Sequence, residues 1–79
     1  QLAADIGRRV ERSALQQGDL LFFGEGGDIG HVGLYLGSGE YIHCNGRDMR
    51  VAVNSFAPAS PRYRADLERS FAGARRIIG

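Results

Sequence analysis

The side chains able to do acid–base or nucleophilic chemistry near neutral pH gather in one short stretch: His31, Tyr35, Tyr41, His43 and Cys44. The chain holds only two histidines and one cysteine, so both imidazoles and the single thiol fall within fourteen positions. An imidazole can take a proton from a nucleophile and return it to a leaving group. A second polar group can hold that ring in its productive tautomer and orientation. His31 and His43 can divide these roles only if they share a face of the fold. The alternative is that both are ordinary polar residues on a solvent-facing sheet.

The elements that must position them are two strands. Residues 31–37 (His-Val-Gly-Leu-Tyr-Leu-Gly) and 40–44 (Glu-Tyr-Ile-His-Cys) are joined through Ser38-Gly39, a hairpin-turn dipeptide. Side chains alternate across a strand. Val32, Leu34 and Leu36 therefore share one face, and His31, Gly33 and Tyr35 the other. On the second strand Ile42 and Cys44 oppose Tyr41 and His43. The apolar sets are expected against a core, leaving a floor of histidines, tyrosines and open glycine. A two-residue turn pairs Gly37 with Glu40 and puts the histidines on opposite faces. One extra residue bulged from the first strand restores parity and sets His43 opposite Gly33, diagonal to His31. Diagonal neighbours lie about 7–8 Å apart at Cα, within reach of long side chains.

Around the hairpin the chain reads as follows. Leu2, Ala3 and Ile6 suggest the last turns of a helix stopped at Gly7. Ser13 is a candidate cap for a short turn over 13–16. After Gly18-Asp19, the run Leu20-Leu21-Phe22-Phe23 reads as a buried strand, and 24–30 as a flexible loop. Alternation returns at 50–54. Pro58 and Pro61 mark a loop, 62–71 suggests a short helix, and 74–78 a closing strand. The class is α+β, a run of antiparallel strands with little helix.

Composition excludes several functions. Seventy-nine residues make one small domain with a marginal core. The net charge is +1, and the ten basic residues, all arginine, are interspersed with nine acids, so there is no basic stripe for nucleic acid. A single cysteine forbids an internal disulfide or zinc ribbon. A metal site from His31, His43 and Asp28 has no standard zinc spacing. No cofactor is called for. No stretch approaches the length of a membrane span, and no signal peptide opens the chain, whose first residue is Gln.

Three ordered segments carry a family likeness: Gln16-Gln17-Gly18-Asp19-Leu20-Leu21-Phe22-Phe23, then Gly30-His31-Val32-Gly33-Leu34-Tyr35-Leu36-Gly37, then Tyr41-Ile42-His43. Together they resemble the second half of the NlpC-type peptidases, papain-like cysteine enzymes of bacterial cell-wall metabolism. The tail, with Val53-Asn54-Ser55, Pro58, Ser60-Pro61, Tyr63 and Ala74-Arg75-Arg76-Ile77, is similar to members that cleave γ-D-glutamyl-diamino-acid bonds. The resemblance implies a papain-like α+β fold whose antiparallel sheet half is present and whose N-terminal helices are largely missing. Residues 1–79 would be the C-terminal part of a single catalytic domain. It also implies that His31 is the general base and His43 its orienting residue, with Gly18-Asp19 shaping the first strand. Gln17 replaces the family's usual proline, a loss of turn rigidity only.

The family's nucleophile, a cysteine in an Asp-Cys-Ser-Gly-like segment opening a helix, has no counterpart in these residues. Cys44 adjoins His43, so in a regular strand its thiol belongs to the opposite face beside Ile42, as a small buried hydrophobe. The resemblance thus implies hydrolysis of peptidoglycan stem peptides in the bacterial periplasm or outside the cell. The partner would be an N-terminal half carrying the cysteine, and these residues alone would be inactive. A non-catalytic domain binding cell-wall peptides or partners is the competing reading. Without the N-terminal helices, the side formed by Leu20, Phe22, Val32, Leu34 and Ile42 is expected to lack cover.

Overall fold

The computed structural model describes residues 7–25, 28–45 and 50–77. Six strands form one antiparallel sheet: β1 (Arg8–Val10), β2 (Leu20–Glu25), β3 (Asp28–Gly37), β4 (Glu40–Asn45), β5 (Arg50–Ser55) and β6 (Phe71–Arg76). The one α-helix among the described residues, α1 (Ala65–Ser70), lies in the β5–β6 connection. The spatial order is β1-β6-β2-β3-β4-β5. Consecutive strands β2 to β5 thus form a meander, and β6 returns to pair with both β1 and β2.

The hairpin that carries the histidines follows the parity argument closely. Ser38 and Gly39 both adopt positive φ, 54° and 81°, the conformation of the tight turn that matches strand twist. Gly37 pairs with Glu40, the register shifts between Tyr35 and Gly37, and Gly33 then stands opposite His43. Leu36 is the extra residue. The bulge rotates the remainder of β3 by one position, so His31 and His43 share a face.

The core sits on that same face, which corrects the sequence-based assignment. Val10, Leu21, Phe23, Tyr41, Phe56 and Ala74 form the buried cluster, with Leu15, Tyr35, Leu67 and Phe71 packed against it. Register explains the membership: Leu21 pairs with Gly33 and Ala74, and Phe23 with His31. Phe56 and Leu67 come from the β5–β6 connection, which folds across the face, and Phe71 opens β6. Tyr41 and Phe56 have ring centroids 4.5 Å apart, and Phe23 and Tyr41 5.5 Å, separations at which offset and tilted aromatic pairs attract. Arg12 lies over the Phe56 ring at 4.4 Å and pairs with Glu68 of α1, closing the cluster at its edge. On the opposite face Val32, Leu34, Leu36 and Val51 are exposed, whereas Phe22 is buried. The predicted lack of cover therefore holds for β3 and not for Phe22.

Other boundaries differ in instructive ways. β2 continues to Glu25 and β3 begins at Asp28, with Gly24 paired to Ile29, so most of the glycine-rich segment read as a loop belongs to strands. The 3-10 turn covers Arg12–Ala14 with Glu11 at its start and no side-chain cap, so Ser13 does not cap it. α1 is shorter than the 62–71 expectation because Tyr63 bridges to Ser55 and Arg64 is extended at its start, while Phe71 already has extended backbone at its end, which starts β6 three residues early. β1 escaped prediction: it is three residues long and two are arginines. The helical ending suggested for residues 1–6 lies outside the described residues.

Candidate active site

β3 and β4 bring the two imidazoles into direct contact. His31 Nε2 lies 2.7 Å from His43 Nδ1, with the rings edge to face at 4.8 Å. A glycine at 33 makes this possible. A Cβ there would sit 3.2 Å from the Ile42 carbonyl oxygen and 3.5 Å from both His43 Cβ and the Phe23 ring, so any side chain would crowd the ring opposite. His43 is buried and His31 half-buried. Phe23 and Tyr41 flank them, at 5.6 Å from His31 and 5.5 Å from His43 respectively.

The line continues on β5. His43 Nε2 lies 2.6 Å from Asn54 Oδ1, and Asn54 Nδ2 donates to the Arg62 carbonyl at 2.9 Å. Asn54 reaches His43 because Tyr41 pairs with Asn54 and His43 with Ala52, which places Asn54 diagonal to His43 on the same face. Asn54 falls in the alternation at 50–54 and in the tail likeness, but neither assigned it a role. Its strand parity was legible, but the β4–β5 register that sets it diagonal to His43 was not.

Burial of the half-exposed ring, followed by the nearby His43 and the Arg64 guanidinium, depresses the His31 pKa below the ordinary imidazole value. His31 is therefore held neutral and able to accept a proton. Tyr41 behaves oppositely: burial pushes its phenol up to about 12, and its hydroxyl finds no hydrogen-bond partner among the described residues. Tyr41 is thus a neutral wall of the site.

Gly18 and Asp19 are structural. The Gly18 and Tyr35 amides exchange bonds across the start of β2, Gly18 N–H to the Tyr35 carbonyl and Tyr35 N–H to the Asp19 carbonyl, both 2.9 Å. The buried Asp19 carboxylate accepts from Gln16 N–H at 2.9 Å and from Arg76 Nε and Nη2 at 2.8 Å each. The Arg76 bond is the main reason its pKa lies below the usual carboxylate range. Cys44 stands on the face away from His43 and is exposed rather than buried. Among the described residues no three His, Cys, Asp or Glu side chains are placed to hold a metal; the side chain of Asp28 lies outside what is described. A cleft of about 270 Å³ between the 16–19 turn and Arg76–Ile77 includes neither histidine.

A papain-like antiparallel sheet with adjacent histidines on neighbouring strands defines the class. The chain belongs to the NlpC/P60 family, whose model matches residues 1–68. The crystal structure of an NlpC/P60 family protein from Bacillus cereus superposes with a TM-score of 0.73 at 33% identity, covering 92% of this chain and 23% of that one. Dipeptidyl-peptidase 6 of Lysinibacillus sphaericus is 47% identical over 60 residues, 76% of this chain and 20% of that protein. Peptidoglycan DL-endopeptidase CwlO of Bacillus licheniformis is 46% identical over 51 residues, 65% of this chain and 11% of that protein. The chain thus spans about a fifth or less of the length of these two relatives. No helix among the described residues is long and apolar enough to cross a membrane.

Proposed function

We propose that this chain is the histidine-bearing C-terminal part of a cysteine-peptidase domain that hydrolyses peptidoglycan stem peptides at the γ-D-glutamyl-diamino-acid bond. The observation that carries the reading is the 2.7 Å contact between a half-buried, pKa-lowered His31 and a buried His43. Such a contact is what a general base and its orienting residue require. Family membership and the DL-endopeptidase relative support the substrate class.

In this reading a cysteine outside these residues, at a helix N-terminus where the dipole favours a thiolate, gives its proton to His31. The thiolate attacks the scissile carbonyl, and the imidazolium protonates the departing amine. Water then attacks the thioester, giving its proton to His31 and releasing the cysteine. His43 keeps the His31 ring in place, and no cofactor takes part. The work is done in the bacterial cell envelope, where the substrate lies.

The test is incubation of the complete protein with an L-alanyl-γ-D-glutamyl-diaminopimelyl stem peptide, with products read by mass spectrometry. Release of the diamino-acid portion is expected, together with a loss of about 10²-fold or more in His31→Ala. Cleavage at a D-alanyl cross-link instead would overturn the bond assignment. Binding of the peptide without hydrolysis would support the non-catalytic alternative.

A further inference from the structure

We infer that Asn54 is a positioning residue that sets the tautomer of both histidines. The inference rests on the peptidase reading for its purpose, but its geometry stands alone. The chain of bonds starts at a backbone carbonyl, which can only accept. Arg62 O takes one bond from Ser55 N–H and a second from Asn54 Nδ2, both 2.9 Å. The first belongs to the parallel bridge between Ser55 and Tyr63, so the acceptor is fixed by fold geometry. The amide group facing it must be the NH2, and Asn54 therefore turns its oxygen to His43.

Asn54 Oδ1 can only accept, so His43 Nε2, 2.6 Å away, carries a hydrogen. A neutral His43 then has a bare Nδ1. His31 Nε2, 2.7 Å from that atom, must be the donor, which leaves the lone pair of neutral His31 on Nδ1. One side-chain carbonyl thereby decides, through two rings, which nitrogen of His31 can receive a proton. In the peptidase reading this is the nitrogen that takes the thiol hydrogen: the S–H bond breaks, the Nδ1–H bond forms, and the pair becomes thiolate and imidazolium. The positive charge on His31 is then shared along donors that already point toward Asn54 and the Arg62 carbonyl.

Replacing Asn54 with leucine keeps the branched shape and removes the acceptor. His43 loses its reason to hold hydrogen on Nε2, and the Nδ1–H form, which cannot accept from His31, becomes populated. Asn54→Asp keeps an acceptor and adds a negative charge.

Long-range 1H–15N correlation spectra of 15N-histidine-labelled protein, recorded above the histidine titration range, read the ring tautomers directly. Both rings are expected as Nε2–H in the natural protein, as tautomer mixtures in Asn54→Leu, and as Nε2–H again in Asn54→Asp. In the stem-peptide assay Asn54→Leu is expected to lose about tenfold or more in kcat, with KM little changed. An Nδ1–H His43 in the natural protein, or identical tautomers in Asn54→Leu, would overturn the inference. Should Asn54→Leu lose the dispersed amide spectrum of a folded chain, Asn54→Asp decides: an Nδ1–H His43 there contradicts the assignment. A protein with the expected tautomers that cleaves no stem peptide sinks only the peptidase reading. An active peptidase whose tautomers ignore Asn54 sinks only this one.

Discussion

At the scale of single residues, the consequential property is a histidine kept neutral by its surroundings. His31 is half-buried, touches a second imidazole and feels Arg64, and all three disfavour its protonated form. Its titration midpoint, followed by NMR, is expected below the ordinary 6.5 and should rise in Arg64→Gln, which removes one cation. A depressed histidine contributes stability that is complete above about pH 6.5 and is lost as pH falls from there through the lower folded value. A midpoint at or above the ordinary value would remove the basis for His31 as a neutral base. His31 and His43 were legible as a pair from alternation plus one assumed bulge. Asn54 was not, because its partnership depends on the β4–β5 register, which strand parity alone does not fix. The face of the core was misread for a different reason. Counting apolar residues on β3 ignored Phe56, Leu67 and Phe71, which arrive from sequence 20 or more positions away and bury the tyrosine side instead.

At the scale of elements, the site depends on how the hairpin is anchored. Bulging Leu36 and crowd-free Gly33 set the relative height of the two imidazoles, while the start of β2 is tied to the end of β6 through Asp19 and Arg76. Removing one member of a buried pair leaves the other without compensation. Asp19→Ala is accordingly expected to destabilise the fold, read as a lower denaturation midpoint at unchanged slope. No change in midpoint would show that the turn holds without its carboxylate. Since the Asp19 pKa is depressed, its contribution is present above about pH 4 and is lost as pH falls through the folded value. The hairpin, the bulge and β5 were legible because each carries a local signal: a turn dipeptide, parity, or alternation. β1 was not, because a three-residue strand with two arginines carries no local signal and forms by pairing with β6, and the early start of β6 was not, because Phe71-Ala72-Gly73 has no alternation to mark it.

At the scale of the molecule, the sheet is finished on one side and open on the other. The histidine face is closed by the chain's own connection, while Val32, Leu34, Leu36 and Val51 remain exposed on the opposite face. The family could be recognised from three short segments in order, since together they encode the strand pair and the turn that launches it; the extent of the complete domain could not, because these residues span about a fifth or less of two curated relatives. The central claim is that His31 serves a cysteine other than Cys44. It is tested most directly by the pH dependence of iodoacetamide labelling, mapped to individual cysteines, in the complete protein and in His31→Gln. The account predicts a cysteine outside these residues that alkylates rapidly near neutral pH, and that in His31→Gln requires alkaline conditions, while Cys44 responds equally in both. Labelling confined to Cys44, or a reactive cysteine indifferent to His31, would contradict it.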